Sequence, residues 1–314
     1  MSVPAPMNKE TRFQWSIRGW ALLSIAAFGS LLQTGCGKND RGGTGGLPAG
    51  RTSIQNIGSD TMVNLAQAWA EEYGKVDPSV SVEVSGGGSG IGIAALINKT
   101  ADLANASRRL EPEELETAKK VGEDPKEFVV GYDAVSIFVH KNNPVNEISM
   151  EELGEIYREG GKIAKWADLG VTIPGAQDDR IIRVSRQNNS GTYHYFREAV
   201  VGKQSDFRSG SLDMNGSKDV VELIARTPGA IGYSGMGYAT PAVKVLKVSR
   251  KKGEPAVAPG VASTLDKTYP IARPMFMYTP GEPAPHLRKY IEWVLSEAGQ
   301  KIVEQTGYVP LPKK

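Results

Sequence analysis

Three times in this chain a short β-prone run passes through a turn of glycines and small hydroxyl residues into a helix-prone segment. Ile181-Ile182-Arg183-Val184-Ser185 leads into Arg186-Gln187-Asn188-Asn189-Ser190-Gly191-Thr192 and then Tyr193-His194-Tyr195-Phe196. Ile54-Gln55-Asn56-Ile57 leads into Gly58-Ser59-Asp60-Thr61, and Val80-Ser81-Val82-Glu83-Val84 into Ser85-Gly86-Gly87-Gly88-Ser89-Gly90. Strands that alternate with helices in this way predict an α/β fold with parallel sheets. The turns also leave unpaired N–H groups and hydroxyls at the positive end of a helix dipole, where an oxyanion binds. Arg186 adds a planar, two-pronged donor aimed at the same point.

Ordinary helix capping explains any one of these turns, because Ser, Thr, Asp and Gly are the common N-cap residues. Gly86-Gly87-Gly88 is harder to explain by capping. Consecutive glycines cost conformational entropy unless the backbone needs an unusual φ or a close approach. Together the turns predict several helix N-termini converging on one tetrahedral anion.

These motifs resemble those of the substrate-binding proteins of phosphate ABC transporters, the Pst-type phosphate-binding family. The resemblance runs from about residue 52 to Pro312. It also rests on Ala101-Asp102-Leu103-Ala104-Asn105-Ala106-Ser107-Arg108, on Pro228-Gly229-Ala230-Ile231-Gly232-Tyr233 and on Gly307-Tyr308-Val309-Pro310-Leu311. It implies a two-domain periplasmic-binding-protein fold, type II-like, with two hinge crossings and the ligand in the interdomain cleft. The phosphate contacts it implies are Ser59 and Thr61, then Ser89 and Gly90, then Ser107, and finally Arg186, Ser190, Gly191 and Thr192.

One position departs from the better-known members, which place an aspartate after the serine of the third loop to accept the proton of a protonated phosphate. Here that position is Arg108. A charged acceptor separates phosphate, which carries a proton near neutral pH, from sulfate, which does not. Asp60 either takes over as acceptor or is a simple N-cap. Arg108 either faces the anion or, like Arg109, pairs with a carboxylate such as Glu111. Asp60 and Arg108 therefore complete the expected ligand-binding set.

Further segments set the expected domains. Phe128 to Val139 is a β run long enough to cross from one domain to another, and Ala230 to Tyr238 is a second candidate crossing. With the hinge that the resemblance implies, the first domain is 51–133 plus 238–314 and the second is 134–237. Met62, Leu65, Ala66, Trp69 and Tyr73 line one helix face, and Ser149-Met150-Glu151-Glu152 is a capping box. A last long helix is expected from Pro285 through Gln305. Its Leu287, Tyr290, Ile291, Val294, Leu295 and Ile302 would pack on the first domain.

At the N-terminus, Lys9, Arg12 and Arg18 precede the apolar run Gly19–Leu32, too short for a comfortable membrane span and suited to a signal peptide. The run ends at Gln33-Thr34-Gly35-Cys36, and Cys36 is the only cysteine. Its position resembles a bacterial lipoprotein cleavage site, although Gln33 stands where leucine is usual. We expect a signal peptide at 1–35, lipid attachment at Cys36 and a glycine-rich tether at 36–50. The expected location is outside the cytoplasm, as a periplasmic or cell-surface lipoprotein anchored to a bacterial membrane.

A formal net charge of +2, with no Lys/Arg block, argues against nucleic acid. Three scattered histidines show no metal-ligand spacing, and neither a metal nor a cofactor is expected. His194 is a conceivable general base, but a surface or packing role on the first turn of its helix explains it better, and no catalytic residue is assigned. The expected function is a high-affinity inorganic phosphate receptor that delivers phosphate to an ABC importer by cleft closure, with the permease as partner. The resemblance implies a monomer. The alternatives are a receptor for sulfate, molybdate or arsenate, a secreted phosphatase, or a phosphate-sensing surface protein on the same fold.

Overall fold

The computed structural model describes residues 51–313, all within one compact unit, Leu47–Lys314. The expected signal peptide, Cys36 and the tether lie outside the described residues. β1 (Thr52–Gly58), α1 (Val63–Val76), β2 (Val80–Ser85), α2 (Ser89–Ile97) and β3 (Leu103–Ala106) follow one another as the alternation predicts. The helical crossovers make β1 parallel to both β2 and β3. α1 buries Leu65, Ala66, Trp69 and Tyr73, and Met62 is buried beside them, so the expected apolar face is the one that packs.

After α3 (Pro112–Lys120), the long β run divides into β4 (Lys126–Ala134) and β5 (Ser136–His140), which belong to different sheets. β6 (Glu147–Ser149) leads to α4 (Met150–Tyr157), opened by the expected capping box, in which Ser149 Oγ accepts from Glu152 N at 3.1 Å. β7 (Ile182–Arg186) then meets α5 (Gly191–Phe196), which continues through a π turn at Arg197–Val201. Next come β8 (Leu212–Met214), α6 (Ser217–Ala225), β9 (Ala230–Ser234), β10 (Val243–Ser249), α7 (Val261–Leu265) and β11 (Ala272–Thr279). The chain closes with α8 (Pro285–Leu295) and α9 (Glu297–Gln305).

The strands form two sheets, β2-β1-β3-β11-β4 and β6-β10-β5-β9-β7-β8. Both are mixed rather than parallel. β11 runs antiparallel to β3 and β4, and β5 runs antiparallel to β9 and β10, because each joins its sheet after the chain has crossed between lobes. Within the long β run the chain leaves the first sheet after β4 and enters the second with β5. The second candidate crossing differs. β10, expected with the first domain, pairs with β5 and β6 in the second sheet, and the chain returns to the first sheet only at β11. The glycine-broken stretch after β9 instead makes a short turn at Met236–Tyr238 that touches the first lobe and goes back.

The two crossing segments run side by side, with Val135 N donating to Ile271 O at 2.9 Å. The expected single last helix is two. Ser296 adopts an extended backbone (φ −72°, ψ 168°) and accepts from Gly299 N as the N-cap of α9. At that break Leu295 is 37% exposed, whereas Leu287, Tyr290, Ile291, Val294 and Ile302 are buried as expected. Among the described residues no helix is long and apolar enough to cross a membrane.

Candidate functional site

All three strand–turn–helix units end at one place, together with the turn after β3. Ser59 Oγ donates to Ser107 Oγ at 2.9 Å, Ser107 N donates to Ser89 Oγ at 3.0 Å, and Thr61 Oγ1 lies 2.7 Å from Thr192 Oγ1. These residues are buried, although hydroxyls are ordinarily exposed. β1, β2 and β3 supply Ser59, Thr61, Ser89 and Ser107 from one lobe, and β7 supplies Arg186 to Thr192 from the other.

Glycine makes the approach of the two lobes possible. Gly88 has φ +102°, and a Cβ there would lie 2.6 Å from Asn189 O. A Cβ on Gly191 would clash with Ser89 Oγ and lie 2.7 Å from Ser107 Oγ. The fourth loop is thereby seated directly on the second. Gly90 N donates to Asn189 O at 3.0 Å, and Asn189 Nδ2 donates to Gly87 O at 2.9 Å. Ser190 caps α5, its Oγ accepting from Thr192 N at 3.2 Å and Tyr193 N at 3.4 Å, so ordinary capping accounts for its acceptor side.

Arg186, at the end of β7, is 1% exposed. Its Nη2 donates to Asp60 Oδ2 at 2.9 Å and to Asn215 O at 2.8 Å, while Nη1 donates to Ser217 Oγ at 2.9 Å. Burial lowers the Arg186 pKa from its ordinary value, and the neighbouring Asp60 carboxylate works against that shift. Asp60 is not the N-cap of its turn, a position that Ser59 takes without a side-chain cap bond. Its two oxygens instead accept from Arg186 and, at 2.9 Å, from Gly87 N.

Arg108 does not join the hydroxyl cluster. Both of its terminal nitrogens donate to the Glu114 carboxylate at 2.7 Å, in the planar fork geometry that suits guanidinium to carboxylate. Burial opposes its charge, but the Glu114 contacts outweigh burial and raise its pKa. The partner is Glu114 rather than Glu111, since Glu114 also caps α3 and so already points at this turn. Arg109 is exposed and pairs with Glu127 at 2.9 Å. His194 packs on the fourth loop, with Nε2 2.6 Å from Asn188 O, and burial lowers its pKa.

Two residues that the motifs did not mark are central to the geometry. Arg273 on β11 donates through Nη2 to Thr192 Oγ1 at 2.9 Å and through Nη1 to Ser107 O at 2.8 Å. Asp133 on β4 accepts from Arg273 Nη2 at 2.8 Å. Each is a buried charge among apolar strand residues, a pattern that calls for an opposite charge nearby. Tyr238 also enters the site edge, its hydroxyl donating to Asp60 O at 2.6 Å. Among the described residues no group of three or more His, Cys, Asp or Glu could hold a metal ion.

A family model described as a PBP superfamily domain matches residues 44–298. The phosphate-binding protein PstS of Pseudomonas aeruginosa is 36% identical over 273 residues, covering 83% of this chain and 84% of that protein. PstS of Staphylococcus epidermidis is 29% identical over 305 residues, covering 95% of this chain and 91% of that protein. Among solved structures, a Clostridium perfringens protein described as a phosphate ABC transporter substrate-binding protein, with bound phosphate, superposes with a TM-score of 0.73. It is 30% identical, and the match covers 83% of this chain and all of the other. An ABC-type phosphate transport receptor from Vibrio cholerae superposes with a TM-score of 0.63 at 26% identity, covering 82% of this chain and 100% of that one.

Proposed function

The chain belongs to the PBP superfamily and, within it, to the Pst-type phosphate-binding proteins; on that premise we propose that it is the inorganic phosphate receptor of an ABC importer. The observation that carries this reading is the convergence of the Ser59, Thr61, Ser89, Ser107 and Thr192 hydroxyls beside the Asp60–Arg186 pair. Hydroxyl and amide donors from several loops suit a tetrahedral oxyanion better than any planar or apolar ligand. Charge-assisted hydrogen bonds contribute about 1.5–3 kcal/mol each, so four or more offset the ordering cost of micromolar or tighter binding.

The binding set supported by this geometry is Ser59, Asp60, Thr61, Ser89, Gly90, Ser107, Arg186, Ser190, Gly191 and Thr192. Arg108 leaves the set because Glu114 occupies its fork. Asp60 is the acceptor for the proton of phosphate. The Arg186–Asp60 pair is formally neutral, so an anion is held by oriented donors rather than by net charge, and a remaining Asp60 lone pair turned toward it would favour an anion that brings a proton. Sulfate brings none.

The closing units are a first lobe at 51–134 plus 272–313 and a second at 135–271. Closure removes water from the cleft and strengthens each charge-assisted bond. The chain acts as a monomeric binding protein rather than an enzyme, outside the cytoplasm, held near the permease by a lipid on Cys36. Small-angle scattering checks the closure. Phosphate should reduce the radius of gyration while sulfate at the same concentration leaves it unchanged, and equal compaction by both anions would contradict the role given to Asp60.

A further inference from the structure

One side chain links the hinge to the anion loops. Asp133 and Arg273 are register partners on β4 and β11, two residues from Val135 and Ile271, whose backbone bond joins the two crossing segments. Their side chains are 0% and 1% exposed, and Arg273 Nε and Nη2 both donate to Asp133 Oδ2, at 3.1 and 2.8 Å. The same guanidinium reaches Ser107 O in the third loop of its own lobe and Thr192 Oγ1 in the other lobe. Asp133 Oδ1 accepts from Met236 N at 3.0 Å, in the turn that also brings Tyr238 to Asp60. Both crossing strands, two anion loops and the turn after β9 therefore meet on a single ion pair.

We infer that Arg273 is a positioning residue: anchored by Asp133 at the hinge, it holds Thr192 as a hydrogen-bond donor toward the bound anion when the lobes close. The inference rests on the phosphate-receptor reading. A threonine hydroxyl has one proton and two acceptor lone pairs. Arg273 donates to one lone pair at 2.9 Å, and Thr61 Oγ1 lies 2.7 Å from the same oxygen. When Thr61 fills the second lone pair, the Thr192 proton is left for the ligand, and Thr61 serves the site through Thr192 rather than with its own hydroxyl proton. Asp133 neutralises Arg273, so the residue adds no net attraction for anions and acts through Thr192. Because the Arg273–Thr192 bond spans the cleft, it forms on closing and breaks on opening. Its loss should therefore speed release more than it slows capture.

The test uses the full chain with inorganic phosphate and compares wild type, Arg273→Lys, Thr192→Val and the double variant by calorimetry and stopped-flow release. The thermal midpoint of each is recorded without phosphate. Lysine keeps the charge beside Asp133 but lacks the fork that serves Ser107 and Thr192 together. We expect Arg273→Lys to release phosphate about tenfold faster or more, with capture slowed less than about threefold. The double variant should be no more than about threefold weaker than the worse single, since both act on one bond. Binding by Arg273→Lys within about threefold of wild type, or multiplying effects in the double variant, would overturn the inference.

Should Arg273→Lys not fold, ¹⁵N-arginine spectra of wild type and Thr192→Val decide the matter. A guanidinium signal that phosphate shifts in wild type but not in Thr192→Val supports the coupling, and one that phosphate leaves unmoved in wild type overturns it. Folded wild type that binds no phosphate would defeat the receptor reading and this inference together. Wild type that binds, with Arg273→Lys unaffected, defeats this inference alone.

Discussion

Asp60, after β1, and Arg186, at the end of β7, pair between the two sheets, Nη2 donating to Oδ2 at 2.9 Å, with the arginine 1% and the aspartate 18% exposed at the side chain. Asp60 follows β1 and Arg186 ends β7, in different sheets, so under the proposed function the pair is both a closure contact and part of the anion site. Replacing Asp60 with Asn puts an amide donor or an uncharged oxygen against a buried cation. We expect Asp60→Asn to weaken phosphate binding by about 2–5 kcal/mol and to narrow the preference for phosphate over sulfate. Calorimetry with both anions checks this, and an unchanged ratio would remove Asp60 as the proton acceptor.

Arg186→Ala should cost a similar amount, on the order of 2–5 kcal/mol of phosphate affinity. The arginine also secures Asn215 O and Ser217 Oγ at the start of α6, so a lower thermal midpoint should accompany the loss. A titration showing less than about tenfold weakening would mean that the hydroxyls alone hold the anion.

Gly191→Ala separates approach from chemistry. The added methyl meets Ser89 and Ser107, whereas the backbone at Gly191 has an ordinary helical geometry, so the free fold should tolerate it. We expect at least about tenfold weaker phosphate binding with little change in thermal midpoint, because the fourth loop can no longer seat on the others.

For Arg108→Ala the expectation is reversed. Its fork with Glu114 is partly buried and ties the third loop to α3, so its removal should destabilise the protein by roughly 1–3 kcal/mol while phosphate affinity stays within about threefold. A large loss of affinity at unchanged stability would return Arg108 to the binding set.

His194 gives a pH dependence of fixed sign. Burial holds its pKa below the ordinary 6.5, so on acidification the unfolded chain takes up a proton before the folded one. Stability is full above pH about 6.5 and falls as the pH drops from there toward the depressed folded value. Denaturant titrations of wild type and His194→Gln between pH 5 and 7.5 should show this contribution in the former and lose it in the latter.

The convergence of the candidate loops was more legible in the sequence than the membership of strands in the two sheets. Gly-rich turns between a strand and a helix carry a local signal, and Ser59, Ser89, Ser107 and Thr192 meet where those turns implied. β10 was misplaced because sheet membership is a non-local property; nothing within Val243–Ser249 distinguishes pairing with β5 from pairing in the first sheet. Arg108 misled because an arginine beside a binding loop reads the same whether it faces an anion or, as here, a capping carboxylate six residues on. Asp133 and Arg273 were missed for the related reason that their contact spans 140 residues. The helix break at Ser296 was readable, since a serine followed by Glu297 is a common helix start, but the continuing apolar stripe concealed it.

Isothermal titration of the purified protein with phosphate, then sulfate, arsenate and molybdate, from pH 5 to 8, tests the central claim most directly. One-to-one phosphate binding at micromolar or tighter affinity, with sulfate excluded, is the predicted result. Sulfate or molybdate binding as tightly as phosphate would contradict the selectivity assigned to Asp60, and no binding of any of the four would contradict the receptor itself.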